Sequence, residues 1–131
     1  MSNWISGRNT TTHEFEDERT SLRFVSLGIV DYGSQPWQDE SKQLTLFFWG
    51  EVYGAKDSLE ETASQIVACY RSDSLNELKS LNGLFSFALW DSRSQRLTLG
   101  SDIYASRPLF YHASEGAFHF ASSPFAVAAA V

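Results

Sequence analysis

The chain has a single cysteine, Cys69, among its 131 residues, and its ten basic residues form no run. One cysteine excludes an internal disulfide and suits a reducing compartment. The formal net charge of −6 argues against a nucleic-acid surface, because phosphate binding needs clustered Lys and Arg. The N-terminus has no apolar signal core, and no apolar stretch approaches the length of a membrane span. We therefore expect a cytoplasmic domain with no nucleic-acid and no membrane partner.

The common signatures of metal and hydrolase chemistry are also missing. His13, His112 and His119 show no metal-ligand spacing with Cys69. The serines form no Gly-x-Ser-x-Gly elbow, and no glycine-rich loop could cradle a phosphate. The sequence thus predicts no metal site and no cofactor. Cys69 has two interpretations, a packed side chain or a reactive thiol, and packing is the plainer one.

The composition that is present suits a folded domain. Hydrophobic residues make up 43% of the chain and aromatic residues 15%. A chain of this size can bury a core without covalent staples, so residues 1–131 are predicted to be one domain. Residues 1–20 are the hardest to interpret. Their acidic stretch, from Glu14 to Glu18, is predicted to be a solvated loop.

The clearest structural pattern lies in residues 81–91, which read LNGLFSFALWD. Phe85, Phe87 and Leu89 follow the two-residue period of a strand, and the residues between them are small or apolar. A polar turn then leads into a second alternating stretch at residues 96–100. The two stretches predict a β-hairpin with apolar residues on both faces, which indicates cover on both sides. We expect this hairpin to be the centre of the core.

Further strands and helices are predicted on either side of the hairpin. Alternation predicts strands over residues 22–30 and 43–49, and a second hairpin over residues 108–121. A capping box at residues 58–61 begins a helix with an apolar stripe, and Pro124 suits the first turn of a final helix. A short helical piece is expected at residues 74–80. This order of elements predicts an α+β fold with two sheets between helical layers.

Five blocks in these elements resemble the class II glutamine amidotransferase domain of the asparagine synthetases. Residues 81–91 are similar to its Gly-Met-Phe-Ala-Phe-Ala-type strand. The other blocks are DIYASRPLFY (102–111), similar to its Asp-Arg-x-Gly-x-x-Pro-Leu-Tyr-Tyr segment, and residues 27–37, 48–53 and 120–124, similar to its Ile-Val-Asp…His-Gln-Pro, Asn-Gly-Glu-Ile-Tyr and Phe-Ala-Ser-Glu blocks. The resemblance implies an Ntn-hydrolase-like αββα sandwich of two mainly antiparallel sheets, in reduced form.

The nucleophile implied by the resemblance is not in place. That family attacks glutamine with an N-terminal cysteine, whose own α-amino group is the base. The Ile-Ser-Gly at residues 5–7 can be aligned with the residues that follow this cysteine. Asn3 then occupies the position of the cysteine. Removal of Met1 could expose Ser2, whose hydroxyl could serve as an N-terminal nucleophile in the same way, although the alignment does not favour this. We therefore predict a degenerate domain with no catalytic residue.

The glutamine pocket of the family is altered as well. Its oxyanion-hole asparagine is replaced by Trp49, which has one donor and far greater bulk. The Arg-Gly-Pro block that holds the glutamine carboxylate and the Gly-Ser-Asp block that binds its amine have no counterpart. What remains of the pocket is predicted to be Trp49, Gly50 and Glu51, with Glu51 facing solvent or capping backbone groups.

Two other retained segments have structural interpretations. Residues 35–37, Gln-Pro-Trp, are expected to fix a turn and not to bind a ligand. Asp102 and Arg107 are expected to form an ion pair that steadies the loop before Pro108. Within that loop, Ile103 and Ala105 replace the family's Arg and Gly.

The loss of chemical residues beside surviving sheet blocks predicts a scaffold kept after its site was lost. Our first hypothesis is a glutaminase-inactive domain of an asparagine-synthetase-like, ATP-dependent amide-forming system. Its partner would be a synthetase domain or another protein, because the chain lacks the family's Ser-Gly-Gly-x-Asp-Ser-type ATP loop. The synthetases that close β-lactam or macrolactam rings resemble this case, since they no longer need ammonia from glutamine.

Two alternatives stay open. The chain could be a free-standing scaffold module that binds a peptide or a protein, with Trp37 and Trp49 as its exposed contact surface. It could also be a hydrolase that uses Ser2. Fold alone does not decide among the three hypotheses.

Overall fold

The computed structural model describes residues 11–16, 18, 20–26, 35–54 and 59–131. In chain order the elements are β1 (Thr11–Glu16), β2 (Ser21–Ser26), β3 (Trp37–Gln38), β4 (Leu44–Val52), α1 (Leu59–Arg71), the 3₁₀ helix η1 (Leu75–Ser80), β5 (Gly83–Asp91), β6 (Arg96–Ser101), β7 (Phe110–Ser114), β8 (Ala117–Ala121) and α2 (Pro124–Ala130). No helix in these ranges is long and apolar enough to cross a membrane.

A four-stranded antiparallel sheet with the order β3-β4-β5-β6 forms the centre of the fold. Strand β5 lies between β4 and β6, with Phe48 opposite Phe87 on one side and Leu99 opposite Ala88 on the other. The β5–β6 pair is the hairpin predicted over residues 81–100. Both faces of this pair are apolar because a core cluster packs against each face of the sheet.

Helix α1 covers one face of this sheet. Alternate residues of β4 and β5 point toward the helix, whose apolar stripe packs against them. The buried cluster consists of Leu44, Leu46, Phe48, Ala63, Ile66, Val67, Phe85, Phe87 and Leu89. The apolar spacing in the sequence predicted this stripe, and Ser58 of the expected capping box lies outside the described residues.

The opposite face of the central sheet is covered by two more antiparallel pairs, β1–β2 and β7–β8. Leu22 packs there against Phe47 and Trp90, and the half-buried Phe15 and Phe120 border them. Helix α2 contacts β7 and β8. The fold is therefore α+β, with antiparallel sheets between helices, as expected of an Ntn-hydrolase-like sandwich.

One prediction for the N-terminal region is wrong. The acidic stretch was expected to be a loop, but Thr11–Glu16 is strand β1 and pairs with β2 along its whole length. Phe15 packs against the second core cluster while the side chains of Glu14 and Glu16 are exposed. The acidic residues are thus the outer face of a strand, which charge density alone could not indicate. Residues 27–30, the last part of the strand predicted over residues 22–30, lie outside the described residues, and so do Ser2 and Asn3.

The two-sided core can be tested with two matched isoleucine variants. Ile66 is 0% exposed under the sheet, whereas Ile103 is 69% exposed. We expect Ile66→Ala to lower the free energy of unfolding by about 2–5 kcal/mol, because it leaves a cavity. Ile103→Ala should change it by less than about 0.5 kcal/mol. Urea unfolding followed by circular dichroism measures both, and equal effects would contradict this core.

Candidate functional site

The three residues of the predicted remnant pocket lie near the end of β4. Trp49, Gly50 and Glu51 stand opposite Ser86, Phe85 and Leu84 of β5. By strand alternation Trp49 shares the face of Phe47, which is the face covered by the other strand pairs. Trp49 is half-buried and has interaction partners of its own, and the side chain of Glu51 is exposed.

Gly50 has a backbone reason to be glycine. Its φ is +111°, a region that L-residues with a side chain rarely adopt. A Cβ built on Gly50 would overlap the carbonyl oxygen of Leu84 and lie 2.7 Å from the Cα of Phe85. The neighbouring strand therefore passes directly against this glycine, and the backbone that follows Trp49 is fixed in place.

The loop after β6 is tied to the same end of the sheet through Ser86. The side chain of Ser86 is fully buried, and its hydroxyl donates a hydrogen bond to the carbonyl oxygen of Arg107. Sequence reasoning noted only that a small residue at this position lies between larger ones. The serine's role was not predicted, because it depends on a backbone carbonyl that lies 21 residues away.

The side chain of Asp102 organises the beginning of that loop. One carboxylate oxygen accepts the backbone N–H of Phe85 at 3.2 Å, and the other accepts that of Tyr104 at 3.0 Å. Ser106 adds its N–H at 3.1 Å and its hydroxyl at 3.0 Å. The expected ion pair with Arg107 is absent from the described residues. Local N–H groups satisfy this buried carboxylate better than a long exposed side chain would.

These hydrogen bonds also set the charge state of Asp102. Burial alone would raise the pKa of its carboxyl, but the donors from Tyr104, Ser106 and Phe85 outweigh burial and hold that pKa below its ordinary value. Asp102 is therefore an ionised structural anchor at neutral pH, with its acceptor sites occupied by protein donors.

The segment at residues 35–37 was expected to fix a turn; in the structure Trp37 belongs to strand β3, and Gln35 bonds the backbone of β4. Gln35 is buried, and its side-chain amide donates to the carbonyl oxygen of Phe48 at 2.6 Å. Its side-chain oxygen accepts the backbone N–H of Phe48 at 3.0 Å. The amide of Gln35 thus takes the place of a peptide group in a neighbouring strand.

Trp37 and Trp49 do not form the exposed contact surface that the binding-module hypothesis expected. Trp37 packs against the α1-side core, and its indole N–H donates to Glu60 at 2.6 Å. Since Trp49 is also half-buried, neither tryptophan is an exposed platform. Most of the large exposed apolar side chains lie instead in the second half of the chain, including Ile103, Tyr104, Tyr111, Phe118 and Phe125, and Tyr53 is exposed in the first half. The type of residue was therefore a poor guide to its exposure.

Other polar clusters also have structural roles. Asp39 accepts the backbone N–H of Leu44 at 2.9 Å and pairs with Arg71 at 2.8 Å, which ties the start of β4 to the end of α1. Tyr70 donates to Asp91 at 2.8 Å. Cys69 is half-buried on α1. No group of three or more possible metal ligands occurs among the described residues.

Two cavities border strand β6, one on each face of the sheet. The smaller, about 160 Å³, lies on the α1 face between η1 and β6 and includes Phe87, Thr98 and Gly100. The larger, about 360 Å³, lies on the other face and includes Trp90 and Phe120. Neither is lined by Trp49, Gly50 or Glu51, so the predicted pocket residues do not border these cavities.

Comparison with known proteins identifies relatives over nearly the whole chain. The family model of the glutamine amidotransferase domain matches residues 5–131. Asparagine synthetase (glutamine-hydrolyzing) 2 of Bacillus subtilis is 27% identical over 135 residues, covering 93% of this chain and 18% of its own length. Putative asparagine synthetase (glutamine-hydrolyzing) 1 of Methanocaldococcus jannaschii is 34% identical over 113 residues, covering 78% of this chain and 20% of its own length.

A relative with a different name matches as well. Amidase chyE of Penicillium rubens is 28% identical over 109 residues, covering 72% of this chain and 16% of its own length. The chain therefore spans a fifth or less of the length of these curated relatives.

The close approach at Gly50 is testable against a second glycine with positive φ. Gly54 has φ +82° and nothing within 4 Å of a built Cβ, so Gly54→Ala adds only backbone strain. We expect this variant to lose about 1 kcal/mol of unfolding free energy. Gly50→Ala should lose on the order of 3 kcal/mol or more, because strain and overlap with β5 add. Urea unfolding measures both, and equal losses would contradict the fixed backbone.

The anchoring role of Asp102 predicts a particular pH dependence. Because its folded pKa is below the unfolded value, its stabilising contribution is complete above a pH of about 4 and is lost as pH falls through the folded pKa. Asp102→Asn should therefore be destabilised most at neutral pH, and its deficit should shrink below pH of about 4. Urea midpoints of both proteins across pH measure this. A deficit that is constant with pH would mean that the charge of Asp102 contributes nothing.

Proposed function

This chain belongs to the glutamine amidotransferase domain family, and on that premise we propose that it is a glutaminase-inactive member. It would serve as the amidotransferase-like domain of an asparagine-synthetase-like, ATP-dependent amide-forming system. Its contribution would be structural, a surface for the synthetase component, and not the release of ammonia. The chain as a whole, residues 1–131, is proposed to be this one domain.

The observation that carries the proposal is Trp49 at the position of the family's oxyanion asparagine. An oxyanion hole needs donors placed where negative charge develops, and loss of one donor costs about 10²–10³ in kcat. The indole of Trp49 has one N–H and fills the space of a much smaller amide. Asn3 at the nucleophile position, which carries neither a thiol nor a hydroxyl, supports the same conclusion.

The retained scaffold around Trp49 supports loss of the site and not loss of the fold. Gly50 keeps a backbone with positive φ against β5. Asp102 and Ser86 tie the loop of the family's Asp-to-Tyr segment to the same strand. A domain that presents a surface to a partner has to stay folded, and these contacts hold the fold together.

The proposal of a synthetase partner rests on two observations about the chain and its relatives. The relatives named asparagine synthetase are several times longer than this chain, and the ATP loop of the family is not in it. We propose that the synthetase activity lies on a further domain or on a separate protein in the cytoplasm. A macrolactam-forming or β-lactam-forming synthetase fits such a system, because the amine that it joins is already in its substrate.

Loss of glutaminase activity is tested by incubating the purified chain with L-glutamine and measuring glutamate. We expect no glutamate above the rate without protein, and no gain in Trp49→Asn, since the nucleophile is missing as well. Glutamate release that Ser2→Ala abolishes would overturn the proposal, because it would show an N-terminal serine nucleophile.

The role in amide formation is tested in the native system that contains this chain. ATP-dependent product formation should proceed with the substrate's own amine or with ammonium, and added glutamine should not increase its rate. A rate that depends on glutamine and is lost with Ser2→Ala would contradict a structural role.

A further inference from the structure

The two edges of the central sheet are treated differently. At the β4 edge, the first three residues whose backbone groups point away from β5 are Leu44, Leu46 and Phe48. Asp39 bonds both backbone groups of Leu44, and Gln35 bonds both of Phe48. Trp37 of β3 pairs with Leu46. The edge is therefore closed from Leu44 to Phe48, where the side chains of Asp39 and Gln35 bond the backbone groups on either side of the short strand β3.

The other edge is strand β6, and its outward backbone groups can be identified from one hydrogen bond. The N–H of Asp102 donates to the carbonyl oxygen of Phe85 at 3.0 Å, so this pair is hydrogen-bonded. Because hydrogen-bonded residues alternate along an antiparallel ladder, Thr98 and Gly100 face β5. The N–H and C=O groups of Leu97, Leu99 and Ser101 therefore point away from the sheet.

These outward groups have no hydrogen-bond partner among the described residues. The strand also lacks the usual protection of an open edge, because β6 contains no lysine and no proline, and its one charge is Arg96 at its first position. Arg96 lies over the ring of Tyr70, 5.8 Å from its centroid, and so leans toward α1. The middle of the edge is left open.

The two cavities lie on the two sides of this edge. Thr98 and Gly100 border the smaller one, and Leu97 borders the larger one. Leu99 borders both, as expected for the strand that separates them. Side chains of an added strand alternate between faces, so an added strand would send its side chains into both cavities in turn.

We propose that the β6 edge is a docking site for an extended segment of a partner polypeptide, which adds a fifth strand to the central sheet. The unpaired N–H and C=O groups of Leu97, Leu99 and Ser101 select an extended backbone. The inference goes beyond the proposed function, because it does not require that glutaminase activity be lost.

The cavities define the side chains of the segment. A cavity of about 150 Å³ with apolar walls holds one benzene-sized group. The smaller cavity, about 160 Å³, therefore has room for one apolar side chain, and the larger, about 360 Å³, for about two. The larger cavity has no charged residue in its lining, which selects uncharged side chains.

The probe that fits this description is the peptide Lys-Lys-Leu-Val-Leu-Lys-Lys. Its two leucines lie on one face for the larger cavity, and its valine lies on the other. Lys-Lys-Ser-Val-Ser-Lys-Lys is the matched control, because it has the same charge and backbone but cannot fill the larger cavity. Amide hydrogen exchange followed residue by residue by NMR is the readout.

In the free protein, the amides of Leu97, Leu99 and Ser101 should exchange fast while those of Thr98 and Gly100 are protected by β5. The leucine peptide should slow the three outward amides at least about tenfold at saturation, and the serine peptide should have little effect. Ser101→Pro, which removes one outward N–H, should weaken binding about fivefold to tenfold. Ser101→Ala, which keeps that N–H, should bind as the natural chain does.

Three results would overturn the inference. The first is that the outward amides are already protected in the dilute free protein. The second is that the leucine peptide gives no protection at these amides or binds no better than the serine peptide. The third is protection without peptide that grows with protein concentration, which would assign the edge to a second copy of this chain. The first two measurements need no variant, so misfolding of Ser101→Pro would leave the test intact.

Discussion

The structure depends on the burial of strand β5 on all of its sides. Strands β4 and β6 flank it, α1 covers one face, and the β1–β2 and β7–β8 pairs cover the other. Ser86 and Leu89 have no exposed surface. A strand enclosed in this way tolerates few changes, because every side chain has a neighbour that fits it. This constraint explains why the two strands of the hairpin form the strongest pattern in the sequence.

The same constraint separates the residues that the fold holds in place from those of the proposed remnant pocket. Gly50 and Ser86 lie against β5 or within it, and Asp102 bonds the backbone of Phe85, so all three are held by the fold. The side chains of Trp49 and Glu51, the two residues of the proposed remnant pocket that carry side chains, are not part of either core cluster. Residues that serve only catalysis can change without cost to folding, once the reaction is no longer needed. The proposed inactive domain is consistent with this division.

Much of the fold could be predicted from the sequence, because burial leaves a periodic signal. The alternation in β5 and the stripe of α1 both reflect a face that packs. Strand β1 was missed because its outer face is acidic and its inner face shows little more than Phe15. The partners of Asp102 were missed for another reason. Its donors are mostly backbone N–H groups, which every residue has and which no sequence pattern marks.

The candidate site was less predictable than the fold. Trp49 lies opposite Ser86 because β4 and β5 pair in one particular register. The two strands are far apart in the sequence, and neither strand's sequence alone determines that register. The prediction that Trp37 is exposed was also wrong, because its indole N–H donates a hydrogen bond to Glu60 of α1. Open edges and cavities, such as those beside β6, arise only when several elements are assembled.

The central claim, a retained fold without a glutamine site, is tested most directly by thermal unfolding in the presence of L-glutamine. A ligand that binds only the folded state raises Tm in proportion to the logarithm of its concentration above Kd. We expect Tm to be the same with and without glutamine, and the same as with a non-ligand amino acid such as glycine. A saturable rise in Tm that is specific to glutamine would contradict the account, because it would show that the pocket has survived.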